Sequence, residues 1–212
     1  MAVGPRIAAF GEQALMVELG DVFDETMVAR ARAIADAWER LGHGPALPAY
    51  TSVVLHFDAR RKSLETAEHD ASDVIARAAP AVSTGTARLI EIPTVYDGED
   101  LTDTAARSGM SVEELIRLHA GRDYTAYFLG FLSAFAYLGR IDPRIVAPRL
   151  ERPRTRVPAG TVAIADGQTG VYPLTSPGGW RLIGRTDVVI FDPSAADPAR
   201  IHAGDRVRFV RR

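Results

Sequence analysis

Arginines recur along one stretch of this chain. Arg149, Arg154 and Arg156 crowd around Pro153, and Arg185 follows downstream. A guanidinium is planar, permanently charged and carries paired donors. A cluster of them can therefore grip a carboxylate, a carboxyphosphate or a phosphate through two hydrogen bonds at once. The alternative for Arg149 and Arg154 is a salt-bridged surface, and the residue types alone leave both readings open. Gln168, Thr169, Tyr172 and Ser176 stand in the same stretch, between Gly167, Gly170, Pro173, Pro177, Gly178 and Gly179. Glycine admits positive φ and proline fixes φ, so these polar residues are set on tight turns. A rigid frame presenting polar groups on turns is the usual construction of a binding site.

Other chemistries find less support. No G-x-S-x-G occurs, and Ser133 lies in G-F-L-S-A-F without the final glycine, so a serine-hydrolase elbow is unsupported. No G-x4-G-K-[ST] nucleotide loop is present. The five histidines, His43, His56, His69, His119 and His202, show no metal-ligand spacing, and no metal site is expected. His119 falls at a predicted helix end, where a cation is favourable, and reads as structural. Asp166 and Asp192 precede Gly167 and Pro193 and read as turn residues before catalytic acids. Cysteine is absent, which excludes disulfides and thiolate catalysis and fits a cytoplasmic protein.

The elements that must hold these residues differ between the two halves. From Val157 to Phe191 short β-type runs alternate with Gly and Pro, the pattern of a barrel or sandwich. Ala87–Pro93 reads as an earlier strand, alternating through Leu89 and Ile92. Two short helices follow, Leu101–Arg107 and one that opens at Ser111 with a capping box to Glu114 and ends near Gly121. That pair resembles helix-turn-helix spacing. Its single internal arginine, Arg117, faces Glu113 and Glu114, which argues against DNA. Tyr124–Tyr137 is aromatic-rich. The final Arg206–Val210 alternates basic and apolar residues, as a half-exposed strand does.

The first half alternates strands with amphipathic helices. Arg6–Phe10, Ala14–Leu19 and Tyr50–Phe57 read as strands. Asp24 can cap a helix carrying Met27, Ala31, Ile34, Ala35, Trp38 and Leu41 on one stripe. A second helix over Ser63–Ala79 repeats the pattern, and Gly42–Pro48 reads as a loop. The expected architecture is α+β, a ferredoxin-like sandwich over 1–85 followed by a β domain over 86–212, with the polar run Ser83–Thr86 at the boundary. The chain has 212 residues, 47% of them apolar and 25% charged, with a net charge of −2. That balance favours neither nucleic acid nor an acidic surface. No stretch approaches the roughly 20 apolar residues of a membrane span, and no signal peptide is expected at the N-terminus.

The central stretch also carries a resemblance. R-x3-P-R-x-x-V-P-A-G-[ST]-V-A-I-A, then Q-T-G-V-Y-P-L, S-P-G-G-W-x-L-I-G-R-T and F-D-P resemble the allophanate hydrolase subunit 1 family. Upstream, Ile90–Tyr96, Leu115–His119 and Tyr127-x-Leu-Gly-Phe131 extend the likeness. The family includes the B subunit of bacterial ATP-dependent 5-oxoprolinase, an inhibitor of a sporulation histidine kinase, and part of the carboxyltransferase region of urea carboxylase. The resemblance implies a cyclophilin-like β-barrel for the second half. It favours a subunit of an ATP-hydrolysing complex that opens 5-oxo-L-proline to L-glutamate. Its partners would be a second subunit, of the type of allophanate hydrolase subunit 2 or the 5-oxoprolinase C subunit, and a separate A subunit. ATP and Mg would act in the assembled complex. A kinase inhibitor and an allophanate hydrolase or urea carboxylase-type subunit are the other readings.

A lactam opened by phosphorylation of its amide oxygen needs cations and donors around a developing phosphate. On that reading Arg154, Gln168 and Tyr172 are the catalytic candidates, Arg149 and Thr169 bind substrate, and Phe131 and Tyr137 form the apolar wall. One loop departs from the family pattern, G-F-x-P-G-F-P-Y-L-G. Here Ser133, Ala134 and Ala136 replace Pro, Gly and Pro. The loop is expected to take a different path or to be more mobile, and to border the site.

Overall fold

In a computed structural model, residues 4–21, 25–78 and 88–212 are described. The chain divides into two compact units, Met1–Gly85 and Thr86–Arg212. The polar run Ser83–Thr86, the cap Asp24 and the end of the second predicted helix at Ala79 lie outside the described residues.

The first unit runs β1 (Arg6–Ala9), β2 (Ala14–Glu18), α1 (Glu25–Arg40), β3 (Ala46–Pro48), β4 (Ser52–His56) and α2 (Leu64–Arg77). Its strands are antiparallel in the order β1-β2-β4-β3. Strand β4 lies between β2 and β3, which α1 connects. This is the split βαβ unit of ferredoxin-like folds. Leu15, Val17, Val53 and Leu55 pack on Ile34, Trp38, Ala71 and Val74. The Trp38 indole donates to the His56 carbonyl at 2.8 Å. Ser63 caps α2 by accepting from Thr66 N. Strand β3 was expected to be loop. It is three residues long, lies at the sheet edge and ends in Pro48, the position where a sheet tolerates proline.

The second unit begins with β5 (Leu89–Thr94), α3 (Leu101–Arg107), α4 (Val112–Ala120), β6 (Asp123–Leu129) and β7 (Ala136–Leu138). It continues through β8 (Arg154–Val157), β9 (Thr161–Ala165), β10 (Gln168–Val171), β11 (Ser176–Gly178), β12 (Arg181–Arg185) and β13 (Arg206–Arg211). Seven strands form one sheet in the order β12-β9-β10-β7-β6-β13-β5. Val95 and Arg185 then exchange backbone hydrogen bonds of 2.9 Å and join its two edges into a nearly closed barrel. Strand β13 pairs in parallel with β5 and antiparallel with β6. Strands β8 and β11 make a separate two-stranded ribbon.

Strand β9 is buried along its whole length, and its side chains serve two cores. Val162 and Ile164 join the barrel core with Ile92, Leu138, Val171, Val207 and Phe209, to which the helices add Leu101, Leu115 and Leu118. Ala163 and Ala165 belong to a second cluster with Phe135, Val157, Tyr172, Trp180 and Leu182. A strand covered on both faces reads as a continuous apolar run, as T-V-A-I-A does. The predicted alternation of β5 through Leu89 and Ile92 fails. Residues three apart on a strand face opposite ways, and Leu89 is exposed while Ile92 is buried.

Helix α3 has the predicted bounds, and Ser111 caps α4 by accepting from Glu114 N at 3.1 Å. The reciprocal half of the expected capping box is missing, because the Glu114 carboxylate pairs with Arg117. Leu115, Ile116, Leu118 and His119 of α4 are buried in the barrel unit, and its exposed face carries Glu113 and Arg117.

Candidate functional site

An aromatic pocket of about 330 Å³ opens beside the second cluster. Phe131, Phe135, Tyr137, Tyr172 and Trp180 form its walls, and Arg149 and Leu150 join them among the lining residues. Phe135 stands at the centre. Its ring meets those of Phe131, Tyr137, Tyr172 and Trp180 edge to face, with centroids 5.1–5.8 Å apart. That geometry sets the positive edge of one ring on the negative face of the next.

Local sequence explains how the walls are held. Strand β7 alternates Ala136 and Leu138 into the barrel core with Tyr137 toward the pocket. Tyr137 stacks on Phe128 at 4.6 Å. Tyr172 follows β10, and Gly178 on β11 passes so close that a Cβ there would lie 2.2 Å from the tyrosine hydroxyl oxygen. Only glycine fits that approach. The loop from β6 to β7 closes through hydrogen bonds from Gly130 N to Phe135 O at 3.1 Å and from Phe135 N to Leu132 O at 3.1 Å. Within it Phe131 and Ala134 hold φ of 69° and 61°. The departure from glycine at position 134 thus falls on a residue in the left-handed region, where a side chain carries strain.

Four of the seven expected site residues meet in this pocket: Phe131, Tyr137, Arg149 and Tyr172. Burial raises the pKa of both Tyr137 and Tyr172. Near neutral pH each hydroxyl keeps its proton, so Tyr172 can donate a hydrogen bond and is poorly suited to act as a base. Arg149 Nε donates to Asp166 Oδ2 at 2.8 Å, both side chains being about half exposed.

The other three lie elsewhere. Arg154 is committed to carboxylates. Its Nη2 donates to both oxygens of Asp100, at 2.8 and 2.9 Å, and its Nε lies 2.6 Å from Glu99. Asp100 also accepts from Leu182 N at 2.7 Å, which ties the entry of α3 to β8 and β12. This guanidinium braces the frame behind Trp180, whose carbonyl it also reaches at 3.4 Å. Arg185 likewise pairs with Asp97. Gln168 is buried beside the turn at the tip of the β9–β10 hairpin, outside the pocket lining. Thr169 points into the barrel core.

Thr169 belongs instead to a buried polar chain. Its hydroxyl donates to Ala163 O at 3.1 Å, so it accepts from His119 Nε2 at 2.8 Å. His119 Nδ1 is then the acceptor for the Tyr96 hydroxyl at 2.7 Å. The His119 ring is fully buried, and desolvation pushes its pKa down to about 3. Sequence reasoning placed a helix-end cation here. Burial outweighs the helix dipole, and the imidazole is neutral.

The sequence reading missed Phe135, Trp180, Leu150 and Pro153 as pocket residues. All lie within or beside its quoted motifs, and the glycines that let backbone approach their rings were the available signal. Among the described residues no group of three His, Asp or Glu side chains is placed to hold a metal ion.

Comparisons with known proteins show the family and the fold. The family model described as carboxyltransferase domain, subdomain C and D, matches residues 5–201. A Bacillus subtilis (strain 168) protein, named as the B subunit of 5-oxoprolinase, is 36% identical over 227 residues, covering 100% of this chain and 94% of its own length. The crystal structure of TTHA0988 superimposes with a TM-score of 0.81 at 37% identity over 94% of this chain, which spans 40% of that longer chain. The Kluyveromyces lactis urea carboxylase shares the fold, with a TM-score of 0.76 at 17% identity over 98% of this chain and 22% of its own. The chain belongs to the carboxyltransferase domain, subdomain C and D, family.

Proposed function

We propose that this chain is the B subunit of an ATP-dependent 5-oxoprolinase, acting with a second and a third subunit in the cytoplasm. The names of its relatives support the assembly, and the aromatic pocket with Arg149 supports the substrate. 5-Oxo-L-proline is a small flat ring bearing one carboxylate. Aromatic walls suit the ring, and a guanidinium at the rim suits the carboxylate. Tyr172, protonated at neutral pH, offers a donor toward the lactam oxygen.

ATP with magnesium fits the pocket poorly. Its lining holds one guanidinium and no carboxylate, while Arg154 is held by Asp100 and Glu99. In this reading the nucleotide is bound by a partner, either the one of the allophanate hydrolase subunit 2 type or the separate A subunit. The chain supplies the lactam pocket alone.

The test is co-purification with the candidate partners and an assay of 5-oxo-L-proline-dependent ATP hydrolysis. The complex is expected to turn over and the isolated chain is not. Arg149→Met should raise KM for 5-oxo-L-proline by about tenfold or more, the scale of one charge-assisted pair. Turnover by the purified chain alone, or an unaltered KM in the variant, would refute the proposal.

A further inference from the structure

The tip of the β9–β10 hairpin touches the segment that carries Arg149. Asp166 and Gly167 form its two-residue turn, with φ of 49° and 84°, between the paired Ala165 and Gln168. Such a turn is made as readily by Asn-Gly as by Asp-Gly, so the backbone does not explain a carboxylate here. The carboxylate has a partner in Arg149 Nε at 2.8 Å. Two backbone bonds hold the same segment to the turn: Asp166 N donates to Ala147 O at 2.9 Å, and Ile141 N donates to Gly167 O at 2.9 Å. The guanidinium is thus gripped by its inner nitrogen, and its outer Nη groups are the part that can meet a ligand. Its charge acts on the hydroxyls of Tyr137 and Tyr172, two walls of the pocket.

We infer that Asp166 is a positioning residue that holds the Nη groups of Arg149 over the aromatic pocket and so makes the pocket prefer rings bearing a carboxylate to neutral rings of the same shape. The inference rests on the pocket's assignment as the lactam site. The ion pair is half exposed, which bounds its effect. A flexible arginine without its anchor still visits the pocket, only less often.

Binding of 5-oxo-L-proline and of 2-pyrrolidinone, the same lactam without the carboxylate, to the intact chain by ligand-observed NMR tests this. Asp166→Gly keeps the positive-φ turn and removes the carboxylate. The preference for the acid should fall about fivefold, or about 1 kcal/mol at 1.4 kcal/mol per tenfold. The loss should come from weaker binding of 5-oxo-L-proline, with the affinity for 2-pyrrolidinone unchanged. Asp166→Asn, which retains a neutral acceptor, should fall between. An undiminished preference in Asp166→Gly, or equal weakening toward both rings, would overturn the positioning role while leaving the pocket assignment standing. If Arg149→Met keeps the preference, or the unaltered chain binds neither ring, the pocket assignment itself fails and this inference falls with it.

Discussion

The two units treat a β-sheet differently. In the first, α1 and α2 cover one face, and the other carries the row Ala8, Met16, Val54 and Leu47 in register across all four strands, with Leu47 60% exposed. Its described core is a single apolar cluster between sheet and helices. In the second, β9 and β10 are buried on both faces. One face closes the barrel core around the neutral His119, and the other builds the wall behind the aromatic pocket. A sheet used on both faces can separate structure from chemistry. Residues such as Thr169 satisfy the interior while Tyr172, three positions on, serves the pocket.

Each unit contains one tryptophan, Trp38 and Trp180. Fluorine NMR of fluorotryptophan-labelled protein therefore reports the two units separately. The largest expected effect is from Phe135→Ala, which removes the ring at the centre of the cage. It should cost the barrel unit about 3–5 kcal/mol and shift the Trp180 transition in urea while leaving that of Trp38 in place. Joint movement of both signals would break the contrast between the units.

A smaller effect concerns acid. His119 has a folded pKa of about 3 against an ordinary value of 6.5. Its folded pKa is depressed, so the unfolded chain takes the proton first. The contribution is complete above pH 6.5 and is lost as pH falls toward 3, at up to about 1.4 kcal/mol per pH unit. Burial and then Lys62 lower the pKa of the half-buried His43 of the first unit in the same direction. Between pH 6.5 and 4.5 the Trp180 transition should weaken more steeply than that of Trp38, and His119→Gln should flatten it. An unchanged slope in that variant would remove His119 from the account.

The smallest effect sharpens the loop reading. Ala134→Gly relieves a side chain at φ 61° and should stabilise the barrel unit by about 1 kcal/mol, visible only at Trp180. A loss of stability would mean that the buried Ala134 methyl contributes more than its strain costs.

Much of this architecture was legible. The helix bounds at Leu101 and Arg107, the cap at Ser111 and the basic final strand followed from local signals that packing then respected. The site was legible only in part. Phe131, Tyr137, Arg149 and Tyr172 come together, but Thr169 and Gln168 sit on a strand buried on both faces, where alternation cannot say which side is which. Arg154 lies in the same arginine cluster as Arg149. What separates them is distant in sequence: Asp100 and Glu99 meet Arg154 only after the barrel forms. The His119 ring shows the same limit, since burial set by Tyr96, Thr169 and Phe209 reversed a local electrostatic preference.

Strand β13 has a consequence for how the molecule is made. It follows every other described strand of this sheet in sequence, yet it lies inside the sheet, between β5 and β6. On the ribosome, β5 and β6 emerge early and must wait for Arg206–Arg211 before the barrel can join between them. The first unit draws all its strands from residues already synthesised and can fold while the rest is still being translated. During that interval the edges of β5 and β6 are unpaired, which is when chaperone capture or misassembly would act on this chain.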